Sequence, residues 1–194
     1  MPYEPPPYLA ELTLAQIAEQ VAQRKLPPVG NWSPASIGQS DMRIAPDGSW
    51  YHQDGLIRRP AMVRAFSSLL TRDQSENDNG EPNGQHWLVT PFEKLAIEVE
   101  DAAFIAADCS QKGSDLVFRL STDELVVAGP DNRLRVAGDP ETPAIYLHVR
   151  GGCEARLNRS TYVQLVEIAL AANGDHLDGG LHVTSQGAIF ALMS

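Results

Sequence analysis

The spacing of apolar residues changes along the chain, and each change marks an element. In "TLAQIAEQVAQRK", Thr13 to Lys25, the residues Leu14, Ile17, Ala18 and Val21 recur at helical spacing and predict a helix with one narrow apolar face. Thr13 followed by Gln16 has the layout of a capping box, a side-chain acceptor at the helix start answered three residues later. Residues 1–11 are proline-rich, which predicts extended chain. "LPPVGNWSP" ends the helix and opens a wandering connection over 27–40, with Val29 and Trp32 as anchors. Short strands follow at "MRIAP" and "SWYHQ". Asp47-Gly48 and Asp54-Gly55 have the composition of two-residue hairpin turns, whose central positions need positive φ. Pro60 then suits the first turn of a helix, and Met62, Val63, Phe66, Leu69 and Leu70 mark its apolar face.

The polar stretch "TRDQSENDNGEPNGQ", Thr71 to Gln85, has loop composition and is taken as the domain boundary, giving domains over 1–80 and 81–194. Beyond it the period becomes two. "HWLVT", "KLAIEVE", "AFIAAD", "DLVFRL", "ELVVAG" and "LRVAG" predict a curled antiparallel sheet or small barrel. "AIYLHVR", a Gly151-Gly152 turn and "CEARLN" predict a further hairpin, and "STYVQLVEIALAA" a helix ended by Asn173-Gly174. The hairpin-then-helix layout of "SWYHQDGLIRRPAMVRAFSSLL" thus occurs twice. Met62 aligns with Tyr162, Val63 with Val163, Phe66 with Val166, Leu69 with Ala169 and Leu70 with Leu170. The expected class is α+β: two small domains of mostly antiparallel strands with repeated β-hairpin–helix units. Each helix completes a small core, and two cores leave an interdomain cleft, where ligands tend to bind.

Charge narrows the function classes. The 194 residues hold 15 Lys and Arg against 25 Asp and Glu, a net charge of −10. Such a surface repels a nucleic-acid polymer. Twelve acids fall between Asp73 and Glu124 against Lys94, Lys112 and Arg119, the composition of a solvated acidic face. Two widely separated cysteines suit a reducing compartment, the first residues do not form a secretory signal, and no apolar run is long enough for a bilayer. A cytoplasmic location is expected, with no membrane partner.

Three stretches then point to a family. "DMRIAPDGSWYH", "HWLVTPFEKLAIEVEDAAFIA" and "YLHVRGGCEARLNRS" together resemble a bacterial family of two-domain proteins, domain-of-unknown-function family twelve-eighty-five. The similarity runs from about Asp41 to the C-terminus. It falls on Asp41, Arg43, Asp47, Gly48, Trp50 and His52; on Pro91, Glu93, Lys94, Val99, Glu100, Asp101 and Phe104; and on Tyr146, His148, Arg150, Glu154, Arg156 and Arg159. The resemblance implies an α+β protein with repeated units, a cleft between its domains, a nucleotide-like ligand and a role in signal transduction. It implies no reaction and no cofactor.

The candidate ligand-binding residues are Arg43, Trp50, His52, Lys94, Tyr146, His148, Arg150 and Arg159. Trp50 and His52 lie two apart on a strand and share a face, as do Tyr146, His148 and Arg150. An aromatic ring can stack on a flat ligand, and a guanidinium can fork onto a phosphate. The competing reading makes the aromatics core and leaves the histidines to structural hydrogen bonds. Arg59 and Arg159 oppose the dipole of the helices they start, which hints at another duty. Glu100-Asp101 reads as a turn, and the spacing of Asp175, His176, Asp178 and His182 matches no zinc pattern, so no metal site is assigned. Cys109 and Cys153 lie in apolar runs, where a buried thiol is the default. A non-enzymatic protein binding a small, nucleotide-like anion is favoured. An enzyme acting on such a ligand and a protein-interaction module are the alternatives.

Overall fold

The structure, a computed structural model, describes residues 12–23, 26–78, 80–139, 142–173 and 180–193. The extended reading of residues 1–11 and the Asp175, His176 and Asp178 set lie outside them. Helix α1 (Leu14–Gln23) begins with the capping box: Gln16 N–H donates to Thr13 Oγ1 at 3.3 Å, and Thr13 N–H donates to Gln16 Oε1 at 2.8 Å. The chain continues through β1 (Ser36–Ile44), β2 (Trp50–His52), β3 (Gly55–Leu56), α2 (Pro60–Ser67), β4 (Leu70–Arg72), β5 (His86–Val89) and β6 (Glu93–Val99). Then come β7 (Phe104–Lys112), β8 (Asp115–Leu120), β9 (Leu125–Val127), β10 (Leu134–Asp139), β11 (Thr142–Arg150), β12 (Cys153–Leu157), α3 (Arg159–Asn173), β13 (Leu181–Ser185) and β14 (Ala188–Met193). The α+β class and the two hairpin–helix successions, β2–β3 with α2 and β11–β12 with α3, are as expected.

Contacts divide the chain into two compact units. The first comprises Lys25–Ile105 with His148–Ala155, and it holds a sheet in the order β3-β2-β1-β6-β5-β4. Its neighbours are antiparallel except β1 and β6, which run parallel. The polar stretch Thr71–Gln85 joins β4 to β5, which pair directly. It folds back so tightly that a Cβ on Gly84 would sit 1.8 Å from the Asp73 carbonyl oxygen. One face of this sheet is core. Met42, Ile44, Trp50, Leu70, Leu88 and Ile97 are buried, and the Phe66 ring of α2 stacks on Trp50 with centroids 6.4 Å apart. The predicted helical face running to Leu70 is shorter than expected: α2 stops at Ser67, and Leu70 is already the buried first residue of β4.

The hairpin tip His148–Ala155 completes this unit. Arg72 N–H donates to Gly151 O at 2.7 Å, and the Arg72 guanidinium lies 3.9 Å from the buried Glu154 carboxylate. Gly151 and Gly152 both take positive φ at the turn, as a two-residue hairpin requires.

The second unit comprises α1, Ala106–Leu147 and the chain from Arg156 onward. Strands β7 to β12 form a sheet in the order β10-β11-β12-β7-β8-β9, and β13 pairs with β14. Within this unit Leu12 and Ile17 pack on Val117 and Leu125. Asn158 caps α3, its Oδ1 accepting from Thr161 N–H at 2.9 Å, and the buried helical face runs through Thr161, Leu165 and Ala169. Ser185 Oγ ties the layers, accepting from Leu116 N–H at 2.8 Å and donating to Ala128 O at 2.7 Å. The face expected from alignment with α2 is only partly buried, because Val163 and Leu170 point outward.

Candidate functional site

The other face of the first sheet is open, and its features follow from an irregularity in β1. Gln39 pairs with Ala96 and Arg43 with Glu98, four steps along β1 against two along β6. The surplus chain bulges at Asp41, whose φ of 52° lies in the left-handed region. Ser40 holds the bulge by donating its hydroxyl to Ala96 O at 2.7 Å and accepting from Met42 N–H at 3.2 Å. The β2–β3 turn closes onto the bulge, Gln53 N–H donating to Asp41 O at 3.0 Å. Register puts His52 opposite Gly55, so the turn residues are Gln53 and Asp54, at φ 48° and 65°, rather than the expected Asp54-Gly55.

Bulge, turn and β6 enclose a pocket of about 290 Å³. Ala96 and Met42 contribute its apolar lining, Gln39 and Gln53 its amides, and Asp41, Asp54 and Glu98 its carboxylates. Arg43 and Tyr51 complete it, and they are cross-strand partners. The Arg43 guanidinium stands 4.4 Å over the Tyr51 ring and pairs with Glu100, whose carboxylate raises the guanidinium pKa further. Among the described residues, no hydrogen bond or ion pair occupies the carboxylates of Asp41, Asp54 or Glu98. The pocket therefore presents mainly acceptors, with its one cation already answered by an acid.

A second polar group stands farther along the same face. Lys94 lies 4.2 Å over the Trp87 ring and 3.2 Å from Asp73, and Trp87 Nε1 donates to Asp73 at 2.8 Å. The indole hydrogen bond, then Lys94, hold the Asp73 carboxyl below its usual range. At this end of the sheet Ile37, opposite Lys94, is 69% exposed, and Phe92, in the turn between β5 and β6, is 84% exposed. Thr90 Oγ1 fixes the turn that carries Phe92, accepting from Phe92 N–H at 3.3 Å and Glu93 N–H at 3.1 Å.

Of the eight residues singled out from sequence, Arg43 and Lys94 share this open face. Trp50 is core, 3% exposed, and His52 stands exposed beside the hairpin turn. Tyr146 is half-buried in the second unit, with the Arg135 guanidinium 4.6 Å over its ring. His148 and Arg150 belong to the hairpin tip counted with the first unit, both half-buried. Arg150 donates to Ser67 O at 2.8 Å and lies 4.9 Å over Phe104, and burial lowers its pKa from the ordinary guanidinium value. Arg159 is exposed at the start of α3.

Sequence reasoning passed over Gln53, Asp54 and Glu98. The "QDG" turn signal and the outward period of "KLAIEVE" were available to find them. It also passed over His86, which is buried beside Arg72 and depressed by that burial to about 4. The two thiols are buried, and desolvation holds both above the ordinary thiol range, so neither has nucleophilic character at neutral pH. Among the described residues no cluster of three potential metal ligands occurs, and no helix is long and apolar enough to cross a membrane.

Two family models match the chain: Domain of unknown function (DUF1285), N-terminal domain, over residues 27–102, and Protein of unknown function (DUF1285), C-terminal domain, over residues 103–192. The crystal structure of a DUF1285 family protein from Silicibacter pomeroyi DSS-3 is 38% identical, with a TM-score of 0.73 over 93% of this chain and 94% of that one. A DUF1285 family protein from Shewanella baltica OS155 is 21% identical, with a TM-score of 0.49 over 65% of this chain and 90% of that one. No curated protein matches.

Proposed function

The chain belongs to the DUF1285 family of two-domain proteins, and from that premise we propose that it is a non-catalytic binding protein whose recognition surface is the open face of its first sheet. The observation that carries this reading is the pocket of about 290 Å³ at the β1 bulge, lined by three carboxylates that accept no hydrogen bond among the described residues, Glu98 lying in the field of Arg43. A group that donates hydrogen bonds or carries positive charge satisfies those oxygens; a plain anion meets repulsion from them.

A second reading keeps the ligand class implied by the family resemblance, a small nucleotide-like anion with a role in signalling. Arg43 over Tyr51 favours it, because a guanidinium and a ring on one wall suit a phosphate joined to a flat base. Glu100 would have to release Arg43 for that contact.

Thermal unfolding against two panels separates the readings. One panel holds polyamines and alkylguanidines, the other nucleotides and simple organic anions. A ligand at about a hundred times its dissociation constant adds roughly 2.7 kcal/mol, a midpoint rise of roughly 5–10 °C for a chain of this size. A rise with amines that is lost in Glu98→Gln supports the first reading. A rise with nucleotides that is lost in Arg43→Ala supports the second. No rise in either panel removes the pocket as a small-molecule site.

A further inference from the structure

The pocket occupies one end of a longer track, and the other end is apolar. Ile37 and Gln39 share the outward face of β1, as Lys94, Ala96 and Glu98 share that of β6, since strand side chains alternate. Phe92 stands just before β6 begins, and Ile37 pairs with Lys94. From Lys94, opposite Ile37, to the pocket's Glu98 is four residues along the regular strand β6, about 13 Å at about 3.3 Å per strand residue. Ile37 and Phe92 keep apolar surface in water that a partner would remove, and the Thr90 hydrogen bonds fix the turn that carries Phe92.

The walls of the track set the shape of what fits. Tyr51 on β2 and Trp87 on β5 are separated by β1 and β6, about 14 Å at about 4.8 Å per strand. Arg43 on β1 and Lys94 on β6 rise between those walls, each over the ring beside it, and the outward positions of the two strands recur at every second residue, the period that an extended chain matches. The charge of the track sets its chemistry. Lys94 is paired with Asp73 and Arg43 with Glu100, which leaves Asp41, Asp54 and Glu98 as the surplus charge on a chain of net −10.

We propose that this face docks an extended basic segment of a partner protein, seating an apolar side chain against Ile37 and Phe92 and a lysine or arginine, four residues along, in the pocket. In an extended segment residues four apart point the same way and span the same distance as the two ends of the track. The inference rests on the pocket reading above and adds to it the apolar end and the spacing. Aromatic and aliphatic anchors with a charged contact at the rim are the usual anatomy of such recognition.

Labelled synthetic peptides binding to the full chain, followed by fluorescence anisotropy, test it. Leucine and arginine are placed three, four or five residues apart on a serine–threonine backbone, with arginine amide as the single-group control. The spacing of four is expected to bind at least tenfold tighter than three or five and than arginine amide. Glu98→Lys is expected to abolish binding. The double variant Ile37→Ser with Phe92→Ser is expected to remove the advantage of the peptide while leaving arginine amide binding unchanged. Equal affinity at all spacings, or a peptide no tighter than arginine amide, overturns the inference and leaves the pocket reading standing. Failure of both peptide and arginine amide to bind overturns the two together. Self-association abolished by the same double variant in sedimentation also overturns it, because the face would then be covered by a second copy.

Discussion

His86 shows how burial turns a common residue into a pH-dependent one. Its ring is 7% exposed on the core side of β5, and desolvation, with the Arg72 cation adding to it, moves the pKa from 6.5 to about 4. The unfolded ring takes up its proton near pH 6.5 and the folded ring only near pH 4. The stability gained from a neutral buried ring is therefore complete above about pH 6.5 and drains away as the pH falls towards 4, by up to about 3 kcal/mol. Urea unfolding at pH 7 and pH 4.5 should show His86→Leu losing about 1–3 kcal/mol less than the parent between the two values. Parallel losses would mean that carboxylates alone set the acid sensitivity. In sequence His86 ends a long polar stretch, and nothing local marks it as buried; the pairing of Arg72 with His86 across β4 and β5 decides that. Arg43 and Lys94 were legible as outward residues of alternating strands. Trp50 was not separable from a ligand-stacking ring, because the same alternation fits a ring packed on Phe66.

At the scale of elements, the turn between β2 and β3 is the informative one. Gln53 and Asp54 both sit at positive φ without a glycine between them, a geometry that two-residue hairpins fill far more readily with Asn-Gly. Gln53→Asn with Asp54→Gly should raise the stability of the chain by about 1 kcal/mol, read as a higher urea midpoint at unchanged slope. The same pair of changes deletes one pocket carboxylate, so amine binding should weaken as the fold strengthens. That opposition is the expected signature of a turn kept strained for its side chains. Most strands were legible from period two, including β5 to β12, and α1 with its cap. The parallel pairing of β1 with β6 was not, since those strands lie about fifty residues apart and share no turn signal. Residues 36–40 read as connection because "SIGQS" carries too little alternation, and its strand state comes from the β6 ladder.

For the whole molecule, the first unit needs a piece of chain remote in sequence. His148–Ala155 brings the Gly151 carbonyl to Arg72 N–H and the Glu154 carboxylate to the Arg72 guanidinium. The fragment 26–105 keeps the whole N-terminal family match yet lacks the Gly151 carbonyl and the Glu154 carboxylate, while the Arg72 guanidinium keeps the carbonyls of Gly84 and Pro82. The lost backbone hydrogen bond and ion pair, about 1 kcal/mol or more together, weigh on the small net stability of a domain. The fragment 26–105 should therefore show poor near-ultraviolet dichroism and early loss to protease, while the full chain resists. The two thiols add a use that has nothing to do with binding. Cys109 falls in one unit and Cys153 in the other, each shielded in the native state. A thiol reagent can reach either sulfur only when its surroundings open. Pulse labelling followed by peptide mass mapping would then time the opening at each place separately, and the chain would report the order in which it comes apart through two reporters it already carries.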